Sequence, residues 1–360
     1  KYPFEAKSIF NISGMSYGAI SAAAVRALSK GAAAAGIWMN TGEGGISPYH
    51  IEGGCDVVYQ IGTAKYGVRD ETGNLSDEKI LAVSKHVKAF EIKLSQGAKP
   101  GRGGVLPGGK VTAEIAEIRG IPEGQVSSSP NRHKEIRSAD DLLDMINRVR
   151  DVTGKPVGFK SVLGSDKFPK DLCKAILRRG IEYAPDFITV DGGEGGTGAA
   201  PQILADHVGL PIIESLPLLV DILSAYGLRE RIRVIASGKL VHSAKVAWAL
   251  CAGADFIVSA RGFMFALGCI QALQCNKNTC PTGITTHDRN LQYGLHPEEK
   301  SVRVAHYARN ICKEVGVIAH SCGVADPHLL TRKHARIVTE DGRSLGMDKF
   351  YSSSARTDPE

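Results

Sequence analysis

A closed parallel β/α barrel is the fold this 360-residue sequence predicts, and three observations predict it. Short β-prone runs recur along the chain, most of them followed by a helical pattern. Eight such runs can be counted, the number that closes a barrel. Each ends in glycine or small polar residues, which a barrel would collect on one face, at the C-terminal ends of its strands. An open doubly wound sheet satisfies the alternation alone and is the competing fold.

Taken in order, residues 9–12 break into SGMSYG and precede a helical stretch at 20–30. Residues 37–39 run into NTGEGG, and 51–85 then read as a long insertion after strand two. Residues 90–94 run into SQGAKPGRGG. The weaker run 125–128 leads to PNRHKEIRS and a helix whose Ser138-Ala-Asp-Asp141 start resembles a capping box with Asp in place of Glu. Residues 157–162 precede a helix from near Asp171, 187–190 end in DGGEGGTGAA, 233–236 in SGK and 256–259 in ARG. The barrel is expected over residues 1–316, with 317–360 a C-terminal extension whose polar tail starts at Ser352.

Composition narrows the function. The net charge of +6 comes from scattered lysines and arginines without a basic tract, which argues against nucleic acid and suits an anionic ligand. The 41 glycines exceed the usual share of roughly 7% and cluster after apolar runs, as tight turns and close ligand approach require. Eight cysteines in a chain of this size do not form a small secreted disulfide scaffold, so a reducing, cytoplasmic setting is expected. No run of eighteen apolar residues, signal peptide or lipidation motif is present. The chain begins at Lys rather than Met, so a leader, a membrane anchor or a further domain is allowed for upstream.

The sharpest chemical signal is ALGCIQALQCNKNTCPTG at 266–283, where Cys269, Cys275 and Cys280 stand at C-x5-C-x4-C. Thiolates this close can converge on a soft metal centre, whereas one disulfide would strand the third thiol. An iron-sulfur cluster is the first reading. Zinc, which needs a fourth ligand from Cys322 or His287, is the second, and unrelated buried cysteines the third. Cys173, Cys251 and Cys312 read as small buried hydrophobes, and the eleven histidines form no metal pattern.

Other candidates sit where a barrel mouth would be. Ser237-Gly238-Lys239 and Ala260-Arg261-Gly262 follow the last two strands, a common phosphate position, or are ordinary turns. Lys160, inside the apolar run VGFKSV, needs an anionic partner if it points inward, such as the electron-rich edge of a reduced flavin; otherwise it faces a helix and snorkels to solvent. Gly193 lies in the DGGEGGTG loop, whose successive backbone donors suit a planar ring or a phosphate. Glu43 in NTGEGG can handle ammonium or a transferred proton, or is a turn acid. Lys93 shares a strand face with Glu91 and either receives a carboxylate or pairs with that neighbour.

With these residues set out, the sequence resembles the FMN-binding synthase domain of glutamate synthase, especially its stand-alone relatives. GMSYGAIS, NTGEGG, EIKLSQGAKPG, DGGEGGTGA and the cysteine stretch carry the resemblance, over roughly residues 2–317. It implies an FMN-binding β/α barrel with a [3Fe-4S] cluster on Cys269, Cys275 and Cys280. In that family reduced flavin gives a hydride to 2-iminoglutarate, formed from 2-oxoglutarate and ammonia, and glutamate results. By position, Met15, Ser16 and Gly18 would line the flavin and Lys160 would face its pyrimidine edge. Gly193, Ser237, Gly238, Ala260 and Arg261 would surround ring and phosphate, Lys93 and Gln96 would face the keto acid, and Glu43 would sit near the amine. No glutaminase domain and no nicotinamide fingerprint are seen. Ammonia is therefore expected free or from a separate subunit, and electrons from ferredoxin or a reductase subunit, in an oligomeric assembly. Arg102 and Val105 replace the family's Glu and Gln, and SSSPNRHKEIRS replaces its proline- and histidine-rich loop, so a methylated or other simple amine is an expected variant. A non-catalytic electron-relay subunit is the reading from a different class.

Overall fold

The computed structural model describes residues 2–354. Eight parallel strands close on themselves: β1 Phe10–Ile12, β2 Met39–Asn40, β3 Val57–Ile61, β4 Ala89–Lys93, β5 Val157–Ser161, β6 Phe187–Asp191, β7 Arg233–Ser237 and β8 Phe256–Ser259. The ring is sealed by β1, which pairs with β8 at Asn11↔Val258 and with β2 at Ile12↔Met39.

The expected barrel is present, but two of its expected parts lie elsewhere. The third strand, Val57–Ile61, falls within the segment 51–85 that reads as an insertion; all five residues are buried, as both faces of a barrel strand must be. The run at 125–128 is outside the barrel. Ser127–Ser128 pairs antiparallel with Val105–Leu106, forming a ribbon in the long excursion between β4 and β5. That excursion, not residues 51–85, is the chain's largest departure on this side of the barrel, and it returns over the mouth through the helix Ala113–Arg119.

Helices form where the sequence supplies both an apolar stripe and ends. Ser21 caps Ala22–Ala35 by accepting from the Ala24 amide, and Gly36 closes it in the left-handed region at φ 69°. Ser138 Oγ accepts from the Asp141 amide as expected, while the Asp141 carboxylate reaches back to the Arg137 amide instead of that of Ser138. Pro297–Ser321 packs along Ala22–Ala35 and runs past the expected boundary at 316/317. The C-terminal segment docks on Ile212–Ala225 through Arg332–Asp221 (2.7 Å) and Tyr351 Oη–Ile213 O (2.8 Å). The helix Met347–Ser354 takes in the start of the expected tail, and 355–360 lie outside the described residues.

Two apolar clusters divide the interior. The larger fills the space between strands and helices. The smaller, Trp38, Val58, Ala89, Phe187, Ile235 and Val258, lies inside the barrel at its lower end, with Phe4 and Ala6 packed beneath. Above it comes a polar layer, because alternate residues of each strand point inward. On β4 the inward series is Ala89, Glu91, Lys93: apolar, then acidic, then basic on reaching the mouth. Among the described residues no helix is long and apolar enough to cross a membrane.

Candidate active site

The loops after the strands meet around a mouth cavity of about 290 Å³, near the lower end of the range for small-molecule pockets, about 300–1,000 Å³. Met15, Ser16, Glu43, Lys93, Gln96, Lys160, Ser237, Gly238, Ala260, Arg261 and all three cysteines of the 269–280 stretch stand on its wall. Gly18 and Gly193 do not. A side chain on Gly18 would meet Arg119, Leu106 and Ile115, and Gly193 packs against Gly209 with its amide on the Leu210 carbonyl. Both support the wall from behind.

Two backbone approaches shape the wall. A Cβ on Gly42 would lie 2.5 Å from the Ser16 amide nitrogen, so the loop after β2 sits directly beneath residues 15–16. A Cβ on Gly97 would lie 1.8 Å from the Gly192 carbonyl oxygen, locking the loop after β4 against the glycine loop after β6. Asp191 ties the same region together: its carboxylate accepts from the Gly97 amide (2.8 Å) and from Ser237 Oγ (2.7 Å).

Lys93 pairs with Glu43, not with Glu91. Its Nζ donates to Glu43 Oε1 (2.8 Å) and to Gln96 Oε1 (3.1 Å), and Gln96 Nε2 donates to Gly196 O (2.5 Å). Glu91 instead accepts from Asn40, Gln60 and Thr189 below. Burial pushes the Glu43 carboxyl up, but Lys93, Lys99 and Lys160 together outweigh it and hold the group down at about 2. Lys160 points inward, 5% exposed, and makes no ion pair among the described residues. His133 Nε2 donates to the Lys93 carbonyl (3.0 Å) and so fixes the end of β4 from outside.

Residues that sequence reasoning passed over also line the cavity. Lys99 is buried, and its amine is held down at about 8 by burial first and then by Lys93 and Lys160. Its signal lay in the QGAKPG motif, where it follows Lys93 and Gln96 at intervals of three. Arg119 lies on the helix of the long excursion and donates to Tyr17 O (3.1 Å) and Ser16 Oγ (3.5 Å); no local pattern marks it. The wall therefore carries Lys93, Lys99, Lys160, Arg119, Lys239 and Arg261 against Glu43, Asp191 and Glu194, an environment for an anion.

On the opposite wall the cysteine loop adopts left-handed backbone at three non-glycine residues, Gln271 (φ 55°), Leu273 (55°) and Asn278 (62°). The Gln271 amide donates to Cys269 Sγ (3.4 Å), and Thr282 Oγ1 lies 3.4 Å from Cys280 Sγ. Burial pushes the Cys280 thiol up, yet its polar surroundings, Thr282 foremost, bring it down to about 7, whereas burial and its two thiol neighbours raise Cys275. Lys110, 1% exposed, donates to Cys275 O (3.1 Å) and Ala19 O (2.6 Å), tying this loop to the one after β1. Among the described residues no three His, Cys, Asp or Glu side chains converge to hold a single metal ion. The fourth ligands considered for zinc are elsewhere: Cys322 is exposed beside Cys251, and His287 is engaged with Gly18 O (2.9 Å).

The fold is similar to that of the flavin-binding domain of baker's yeast flavocytochrome b2 (TM-score 0.54, 16% identity, 99% of this chain and 78% of that one). Lactate oxidase from Pediococcus acidilactici is similar (0.53, 15%, 94% and 75%). At these identities the likeness is one of fold. Sequence carries the assignment further: the conserved region in glutamate synthase matches residues 1–325, and the chain belongs to this family. It is 45% identical over 351 residues to the glutamate synthase large subunit-like protein YerD of Bacillus subtilis (97% of this chain, 66% of that protein). It is 35% identical over 312 residues to the archaeal-type glutamate synthase [NADPH] of Thermotoga maritima (86% and 58%). It is 36% identical over 316 residues to the archaeal glutamate synthase [NADPH] of Methanocaldococcus jannaschii (87% and 58%). The chain thus spans about three fifths to two thirds of the length of these relatives.

Proposed function

We propose that this chain is the FMN-binding synthase unit of a glutamate synthase-type oxidoreductase. It would reductively aminate a 2-oxo acid, foremost 2-oxoglutarate, with ammonia or a simple amine to give glutamate or an N-substituted glutamate. Electrons would come from a separate donor such as ferredoxin or a reductase subunit. One observation carries the reading: a single cavity has a cation-rich wall around the Glu43–Lys93 pair and three thiols on the facing wall.

The residues fit both absent groups by their chemistry. FMN is an anion with a flat ring; Lys160 inside the barrel, Arg261, and the Ser237-Gly238 turn offer it charge and backbone, and Met15-Ser16 offer a surface held close by Gly42. A [3Fe-4S] cluster takes one thiolate per iron, so its ligands stand apart instead of converging on one point, and a thiol brought down to about 7 is the ionised donor such a group needs. Bound together, a flavin supplies two-electron hydride chemistry and a [3Fe-4S] cluster the single electrons that restore it.

The chain's own residues define the rest. Lys93, Lys99 and Arg119 present charge to the carboxylates of a keto acid, and Gln96, anchored to Gly196, fixes the orientation of Lys93. With its carboxyl held at about 2, Glu43 is ionised at neutral pH, so it serves to hold a cationic amine or imine and not to donate a proton.

The test is an anaerobic absorption and paramagnetic resonance spectrum with metal content, followed by turnover of 2-oxoglutarate and ammonium with reduced ferredoxin. Flavin and cluster signals with glutamate formation are expected. A colourless protein with stoichiometric zinc removes the proposal; both cofactors with no turnover across keto acids and amines would replace it with an electron-relay role.

A further inference from the structure

Behind the cysteine loop stands a buried cation that the proposed reaction leaves unused. Lys110 ends the 3₁₀ turn Gly108–Lys110, which follows the ribbon strand Val105–Leu106 of the long excursion. The turn has little freedom: a Cβ on Gly108 would lie 2.3 Å from the Gly124 carbonyl oxygen, and the Lys110 amide donates to the Pro107 carbonyl. From this fixed base the side chain passes inward and is 1% exposed.

Its ammonium has three donors, and its hydrogen bonds go to neutral carbonyls, Ala19 O (2.6 Å) and Cys275 O (3.1 Å). Other buried lysines have an acid to answer. Lys65 meets Glu135 and Lys93 meets Glu43, each at 2.8 Å, and Lys99 and Lys160 act on Glu43 from further away. Among the described residues no carboxylate acts on Lys110. The charges it feels are the thiols of Cys275 and Cys280, which favour the ionised amine, and Arg119, which opposes it. A buried cation without an anion is costly. Beside the same two thiols, the hydroxyl of Thr285 is buried with no hydrogen-bond partner. A buried ammonium and an unpartnered hydroxyl at one pair of thiols suit an anionic group held by those thiols.

We propose that Lys110 is the charge-compensating residue of the three-cysteine centre and sets how readily that centre accepts its electron. The inference rests on the cluster reading above. Three ferric ions, four sulfides and three thiolates sum to a dianion; one electron from the external donor, with no bond made or broken, turns it into a trianion. A fixed positive charge stabilises the trianion more than the dianion, so Lys110 raises the reduction potential.

The test is a potentiometric titration of the reconstituted holoprotein with dithionite, followed by paramagnetic resonance of the oxidised cluster, with the flavin potential as internal reference. In Lys110→Met and Lys110→Gln the cluster's reduction equilibrium should fall about tenfold, about 59 mV for one electron, while the flavin's moves by less than about twofold. Lys110→Arg, charged but of another shape, should stay within about twofold of the parent. Asn278→Gly controls for loosened loops. It removes the Asn278 Nδ2–Gly109 O bond (3.1 Å) that joins the same two segments, tolerates the left-handed backbone there (φ 62°), and should leave the potential in place. Neutral variants at the parent potential, or Asn278→Gly shifted as far as Lys110→Met, overturn the proposal and leave the cluster reading intact. A parent that binds no iron and sulfide overturns both. Should neither neutral variant be obtained folded, Lys110→Arg decides: a cluster at the parent potential supports the proposal, and an absent or shifted one overturns it.

Discussion

The ammonium of Lys93 lies 2.8 Å from Oε1 of Glu43, joining the end of β4 to the loop after β2 across the mouth. Lys93→Met leaves a largely buried carboxylate without its nearest cation, and we expect a loss of about 2 kcal/mol in urea unfolding at neutral pH. The pH dependence has a definite sign. The folded-state value of Glu43, about 2, is below the model-peptide value of 4.5, so this stabilisation is complete above 4.5 and lost as pH falls towards 2. The gap between parent and variant should therefore close in acid. Glu43→Gln combined with Lys93→Met should recover part of the loss; a double variant as unstable as the sum of the singles would show that the pair is not coupled.

Lys99 gives a prediction on the alkaline side. Its amine is held down at about 8 and loses its proton as pH rises through that value, removing one positive charge from the anion-binding wall. Affinity for a dicarboxylate such as 2-oxoglutarate, followed by calorimetry, should fall by roughly fivefold to tenfold between pH 7 and 9, about one charge-assisted hydrogen bond. Lys99→Met should be weak throughout and flat over that window. A parent-like decline in the variant would assign the titration to another group.

Much of this site was legible because a barrel gathers the residues after each strand onto one face. Glycine-marked loops that lie far apart in sequence, such as those holding Glu43 and Gly238, could thus be assigned to one mouth. The third strand was not legible for the converse reason. The helix before it has shrunk to Pro48–Ile51, so strand and helix no longer alternate at the usual spacing, and the glycines at 53 and 54 resemble a loop. Partners were harder than faces. Period-two alternation put Glu91 and Lys93 on one side correctly, but which acid meets Lys93 depends on the curvature that brings the loop after β2 across the mouth. Nor does a glycine's position in a motif distinguish a wall, as at Gly238, from a support behind it, as at Gly193.

The cysteine loop yields a test that separates binding from electron delivery. Cys275→Ser exchanges one thiol of the wall for a hydroxyl and leaves Met15, Lys160 and Arg261 in place, so flavin content should stay close to that of the parent. After photoreduction of the flavin and reoxidation, re-reduction by an external donor should be lost in the variant and retained in the parent. Equal re-reduction in both would end the assignment of the three cysteines to a relay. In protein stripped of metal, alkylation of Cys280 should rise through a pH near 7, below the range for Cys275, because polar neighbours, Thr282 foremost, stabilise its thiolate.

The junction of Gly97 with Gly192 is the least forgiving point of the mouth. An added methyl would sit 1.8 Å from the Gly192 carbonyl oxygen, and neither loop can withdraw easily, since Asp191 holds the Gly97 amide and Ser237 Oγ together. Gly97→Ala should cost more than about 3 kcal/mol or leave no soluble protein. Asp191→Asn keeps the shape but gives up one acceptor, for a loss of about 1–2 kcal/mol. Combined, the two should cost less than their sum, because the second change loosens the loop that the first must push aside. Urea unfolding of the three variants checks this, and a Gly97→Ala protein melting within about 1 °C of the parent, a change below about 1 kcal/mol for a chain of this length, would show that the loops are free to part.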